Sequence, residues 1–284
     1  DRVYGLYVLG SNIADSASHI VRISGAQRFV FDSNRLRRPD VAANNRDAFT
    51  LRGFDNQVDL TVFSGTYTQD CVLTNNDCDV LDTPTAQWVF QVRPTNNYVN
   101  ARFRRILVER NFVATTAEPY NFASQELLTV RNNIGYSNGT SPTSADVGIP
   151  VVNGSYVGSP ASTNCSVYNN TLYMSGVRSA YSAVSLGADT TNTRVINNLA
   201  YAPAQANAVM INTNGATSIT ANNNSTDMQV RTVRPWASLT PTLPVDFAPA
   251  GSYAVDGGAT LTNVQRDFFN AVLVSTREIG AIQA

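Results

Sequence analysis

Leu128-Thr129-Val130-Arg131-Asn132-Asn133 is the stretch from which the fold can be read. Apolar and polar residues alternate up to Arg131, the period of a strand with one face buried. Two asparagines then end the run. Asn tolerates a left-handed backbone, and its amide bonds nearby main chain, so the pair marks a sharp corner. The pattern recurs in Phe29-Val30-Phe31-Asp32-Ser33-Asn34, Ile106-Leu107-Val108-Glu109-Arg110-Asn111, Val167-Tyr168-Asn169-Asn170, Val195-Ile196-Asn197-Asn198 and Ile219-Thr220-Ala221-Asn222-Asn223. Cys71-Val72-Leu73-Thr74-Asn75-Asn76 is a looser copy.

Copies recurring at irregular intervals, mostly from the low twenties to the high thirties of residues, describe coils that share strands and differ in their loops. Sustained helical periodicity is broken almost everywhere by Gly, Pro, Asn and β-branched residues. The fold expected is all-β: a single-stranded parallel β-helix in which stacked corner asparagines form a ladder. At about 25 residues per coil the chain makes roughly ten or eleven coils, a rod roughly 50 Å long with lateral grooves. Residues 1–284 read as one domain, with coil boundaries unassigned through 53–105, where the corner is irregular.

Composition narrows the chemistry. The 284 residues carry 20 basic and 21 acidic side chains, and all the basic ones are Arg. Without Lys there is no Lys base, Schiff base or P-loop, and a single histidine, His19, builds no multi-His metal site. A net charge of -1 argues against nucleic acid as partner, because that binding rests on a clustered positive face. No run reaches the roughly 18 apolar residues of a membrane span. Cys71 and Cys78 bracket a loop short enough for a disulfide, and two readings stay open: a bridge, or two small buried thiols. Cys165 reads as a core residue. Val3 to Leu9 reads as a strand already in progress, as if the N-terminus were truncated or processed.

The segments "VRNNIGY", "VYNNTLYMSG" and "VINNLAYAP" resemble secreted right-handed parallel β-helix proteins of the pectate-lyase-like superfamily. So do "HIVRISGAQRFVFDSNRLRRP", a coil pair holding His19, Arg22 and Asn34, and "GSYAVDGG" with "TREIGAI" in a closing segment at 250–284. The resemblance covers nearly the whole chain. It implies a right-handed solenoid, an extracellular location and an acidic polysaccharide as partner, bound and in some members cleaved by β-elimination.

Elimination from a uronan needs a cation for the carboxylate, a base for the C5 proton and an acid for the leaving oxygen. Arg serves the first need, and its densest segment runs Arg22, Arg28, Arg35, Arg37, Arg38, Arg46 and Arg52. The candidate catalytic residues are Arg22, Arg52 and His19, with Arg as base in the manner of some pectate lyases, or Tyr98, Tyr120 or Tyr136 in that role. Candidate substrate-binding residues are Arg35, Arg46, Arg104, Arg131 and Tyr136. No metal ligand set is expected; calcium is the one cofactor left open, by the carboxylates Asp70, Asp77, Asp79 and Asp82. The tail residues Asp256, Arg277 and Glu278 read as ties onto the last coil. Two functions follow: an extracellular carbohydrate-active protein, with turnover of a polysaccharide-lyase kind undecided, or a structural or adhesive protein stacking end to end into a filament.

Overall fold

A computed structural model describes residues 3–16, 20–39, 47–53, 67–81, 88–94, 101–139, 147–152, 160–177, 181–250, 266–271 and 280–282. Its strands lie in three parallel sheets, which the chain visits in turn. The first sheet runs from Val3–Tyr4 and Tyr7–Leu9 through Tyr67–Thr74 and Arg102–Glu109 to Thr220–Asn222. The second stacks Asn12–Ser16, Arg35–Pro39, Asp77–Val80, Phe112–Thr115, Ile134–Ser137, Thr171–Met174 and Leu199–Tyr201. The third stacks Val21–Ser24, Phe49–Arg52, Trp88–Val92, Glu118–Ala123, Val147–Val152, Ser182–Leu186 and Val209–Asn212. The chain is thus a parallel β-helix, as its repeats indicate. No helix among the described residues is long and apolar enough to cross a membrane.

Described residues give eight levels in the first sheet and seven in each of the others, fewer than the ten or eleven coils expected. Coils are longer than the assumed length, with ladder intervals of 22 to 42 residues. Beyond Ser225 the chain also leaves the solenoid, forming the helix Asp227–Thr232 and the turn Pro244–Phe247.

Each corner between the first and second sheets divides its task between two residues. The first takes the left-handed conformation: Ser33, Asn75, Arg110, Asn132, Asn169, Asn197 and Asn223 all have φ between 50° and 58°. The second, Asn34, Asn76, Asn111, Asn133, Asn170, Asn198 or Asn224, turns its amide into the bend. There Nδ2 and the main-chain N of one Asn both donate to Oδ1 of the next, as in Asn76 to Asn111 at 2.8 and 3.1 Å. Nδ2 also donates to a carbonyl of the preceding coil, Asn111 to Leu73 O at 2.9 Å. The ladder runs unbroken from Asn34 to Asn224. The loose copy at Asn76 is a full member, and the last rung is Asn224, one residue past the quoted motif.

Inside the coil, alternate residues meet. Phe49 stacks on Phe90 at 4.6 Å between centroids and tilts against Phe31 at 4.7 Å. Burying each such ring contributes about 1.5–3 kcal/mol. Cys71, Cys78 and Cys165 are all free and buried. Cys71 enters the core from the first sheet and Cys78 from the second, with the Asn75–Asn76 corner between them, so the bridging reading is not realised. Burial pushes the Cys71 and Cys165 thiols up to about 12 and the Cys78 thiol higher still.

A second apolar cluster lies outside the solenoid. Phe112, Ile134 and Leu199 face outward from the second sheet and are covered by Trp236, Phe247, Ala281 and Ile282. Over the same sheet Tyr136, Tyr173 and Tyr201 stack at 5.3 and 5.9 Å, nearly parallel, with Trp236 set edge-on against the last two. Gly280 N donates to Asn197 O, Ala281 N to Thr171 Oγ1 and Asn132 Nδ2 to Arg266 O, tying the tail down.

Candidate functional site

In the third sheet the inward residues are Phe49 and Leu51, Phe90 and Val92, Tyr120 and Phe122 of the core cluster, with the partly buried Val21 and Ile23 packed against it. Alternation then turns their neighbours outward. Register pairs Arg22 with Thr50, Thr50 with Gln91 and Gln91 with Asn121, forming one column along the rod. In the adjacent column Ser24 pairs with Arg52, and Arg93, whose N donates to Leu51 O, extends the line beyond the Leu51–Val92 pair to stand beside Arg52. Three successive coils thereby place Arg22, Arg52 and Arg93 on one face, with neighbouring strands about 4.8 Å apart.

The supporting groups are polar and covered. Thr50 and Gln91 are each 1% exposed and Asn121 is 7% exposed, although all point away from the core. Thr50 Oγ1 donates to Asp47 Oδ2 at 2.9 Å, and Arg93 Nε donates to Gln91 Oε1 at 2.6 Å, which fixes that guanidinium along its own strand. Arg22 is exposed. Guanidinium forks with planar, permanent charge receive carboxylates or sulfates in bidentate fashion. Asp47 precedes the strand Phe49–Arg52 and Glu118 opens the strand Glu118–Ala123, and both carboxylates are buried.

Of the residues singled out in the sequence, Arg22 and Arg52 come together here, while His19 and Arg46 lie outside the described residues. Arg35 is on the second sheet, exposed, with Nε 3.9 Å from Asp77. Arg104 is on the first sheet, 3.2 Å from Glu126, and Arg131 pairs with the buried Glu109 at 2.9 Å. Tyr136 belongs to the stacked tyrosines beneath the tail, and Tyr120 is wholly buried, its hydroxyl donating to main chain and its ionisation pushed up by burial. These four binding candidates therefore do not join Arg22 and Arg52 on one face. Tyr98, Asp82, Asp256, Arg277 and Glu278 lie outside the described residues, as does the side chain of Trp88.

The described part of the acidic stretch around the cysteines is two strands and a corner rather than a loop, and its carboxylates Asp70, Asp77 and Asp79 are occupied. Asp77 accepts from Arg37 at 2.5 Å, Asp70 from Arg105 at 2.6 and 2.9 Å, and Asp79 from Leu81 N. The Arg105 hydrogen bond holds the Asp70 carboxyl below its ordinary range. Among the described residues no three His, Cys, Asp or Glu side chains gather as metal ligands do.

Arg93, Gln91, Thr50 and Asn121 escaped the sequence reading, yet a signal for them existed. Phe49-Thr50-Leu51-Arg52 and Phe90-Gln91-Val92-Arg93 are the same apolar-polar-apolar-Arg string, and aligning them would have set the register through the unassigned region. Compared with models of known protein families the chain matches none, and a search of curated proteins also finds no match.

Proposed function

We propose that the protein is an extracellular β-helix that binds an acidic polysaccharide lengthwise along the arginines of the third sheet, Arg22, Arg52 and Arg93, with the covered Thr50, Gln91 and Asn121 as support beneath rather than as contacts. One observation supports this reading: Arg52 and Arg93 stand side by side on successive coils, with Arg22 in the neighbouring column of the coil before, a group of cations running with the rod. Charged polymers favour such a group, because each further carboxylate meets a preplaced guanidinium without new ordering cost. Cleavage by β-elimination is the enzymatic extension of the same binding mode, and one experiment reads both. Pectate, alginate and glycosaminoglycans are titrated by calorimetry and followed in the unsaturated-uronate absorbance band, with neutral glucans as controls. The expected result is binding of at least one acidic polymer that weakens about tenfold or more in Arg52→Ala combined with Arg93→Ala. Absence of binding across the acidic panel, or undiminished binding by that variant, overturns the reading.

The alternative, a structural protein associating end to end, is favoured by the first sheet, whose outermost strands among the described residues, Val3–Tyr4 and Thr220–Asn222, each pair there with a neighbour on one side only. Tyr4, Tyr7 and Leu9 near one end are more than half exposed. Unpaired edges template further strands. Light scattering over a wide concentration range separates the two: growth into long particles supports stacking, and a constant monomer mass excludes it.

A further inference from the structure

Between Val209–Asn212 of the third sheet and Thr220–Asn222 of the first, the chain turns through Thr213-Asn214-Gly215-Ala216. Ala216 N donates to Thr213 O at 2.6 Å, and both central residues are left-handed, Asn214 at φ 42° and Gly215 at φ 87°, as in the tight turns that select Asn-Gly. Residues 212–215 are all exposed.

An Asn side chain carries an electrophilic amide carbon, and the main-chain N of the next residue is the nucleophile tethered beside it. Attack is open where that residue is small, where its N–H is not committed to a hydrogen bond, and where the backbone can rotate. Among the described residues three Asn precede Gly or Ser: Asn138, Asn214 and Asn224. Asn224 is the last ladder rung, its Oδ1 accepting from Asn198 N and Nδ2 and its Nδ2 donating to Val195 O, while Ser225 N donates to Asn198 O. Asn138 is half-buried; Gly139 N donates to Ser137 Oγ at 3.2 Å, and a Cβ on Gly139 would lie 3.0 Å from Gly176 Cα. Asn214 differs on each count. Gly215 N has no acceptor among the described residues, and a Cβ on Gly215 would meet nothing within 4 Å. The Asn214 amide makes one contact there, Nδ2 to Ser185 Oγ at 3.3 Å, so little holds the turn against the opening that attack requires.

We propose that Asn214 is a self-modifying site, where the folded protein converts the amide to a carboxylate through a succinimide. Gly215 N bonds to Asn214 Cγ and gives up its proton as the Cγ–Nδ2 bond breaks and Nδ2 leaves as ammonia. Water then adds to one of the two ring carbonyls. Opening at Cγ gives Asp; opening at the main-chain carbonyl gives isoaspartate, whose main chain runs through Cβ and Cγ. No oxidant, reductant or enzyme takes part. Either product adds a negative charge to a chain of net charge -1 and removes the donor to Ser185. Isoaspartate also lengthens the main chain of the turn by one atom. The site stands apart from the arginines of the third sheet and does not depend on polymer binding there.

The test follows the full chain at mildly alkaline pH, folded and in urea, with cleavage at Arg and sequencing of peptides 195–231 and 132–178 by mass spectrometry. In the folded protein, product is expected to build up about tenfold or more faster at Asn214 than at Asn138. In urea both are Asn-Gly pairs in an open chain, and the two rates should agree within about threefold. Asn214→Gln, an exposed change that keeps the amide but demands a six-membered ring, should show no product at position 214 over the same period. The site is overturned by absence of product at Asn214, by Asn138 reacting as fast in the fold, by the same preference persisting in urea, or by product at the wild-type rate in Asn214→Gln.

Discussion

At the scale of single residues, Asn111 shows what a ladder position requires. Its side chain accepts from Asn76 N and Nδ2 and donates to Leu73 O, Glu109 O and Asn133 Oδ1, with none of it exposed. Asn111→Ala strands buried donors and acceptors on both neighbouring coils, and a loss of about 2–4 kcal/mol is expected from urea unfolding at an unchanged slope. The opposite sign is expected at Leu127, a 41% exposed residue held at φ 59°. Leu127→Gly relieves a left-handed conformation that L side chains resist and should stabilise by about 0.5–1 kcal/mol. Both roles at the corner were visible in the sequence only as "Asn". Ser33 and Arg110 take the left-handed position without being Asn, which is why the corner read as a single residue with scattered exceptions.

At the scale of elements, the outward tyrosines of the second sheet and the segment covering them act together. Trp236 contacts Tyr173, Tyr201 and Phe247 at 5.1 to 5.8 Å and is 2% exposed. Trp236→Ala should cost about 3–5 kcal/mol locally. Hydrogen exchange is the measurement: protection is expected to fall over 235–250 and to persist at the ladder, while uniform loss would mean that tail and solenoid unfold as one unit. The strands of the first sheet were legible because residues such as Phe29 and Phe31, or Leu128 and Val130, alternate with other positions just ahead of a corner Asn, whereas Phe90 and Val92, in the stretch without a regular corner, were not assigned. The covering tail was not legible, since Phe112, Ile134 and Leu199 carry no mark of facing out onto a second apolar layer. Nor was the scatter of the remaining arginines legible: chain proximity brings Arg35 near Arg22 in sequence, but successive strands belong to different sheets and face different directions.

At the scale of the whole molecule, the core is acid-tolerant in its thiols and vulnerable to base. Cys71 and Cys165 ionise near 9.0 when exposed and near 12 in the fold, because burial disfavours the thiolate. Between these values the unfolded chain has released protons that the folded chain retains, so stability is intact below about pH 9 and falls as pH rises toward 12, by up to about 1.4 kcal/mol per pH unit for each thiol. The urea midpoint should decline across that window, and thiol reagents at pH 8 should label the protein only after unfolding; rapid labelling of the folded protein would contradict the packing of all three cysteines.

The amides of the ladder all lie the same way, each donating toward the C-terminal neighbour and accepting from the N-terminal one. The rod is consequently an arrow. A coil inserted in the forward sense, for instance a second copy of residues 112–133, the shortest interval at 22 residues, would be spliced into the chain of amides and lengthen the particle by about 4.8 Å. A coil presented upside down would set donor against donor, so the protein can be extended like a zip fastener, tooth by tooth, in one direction only.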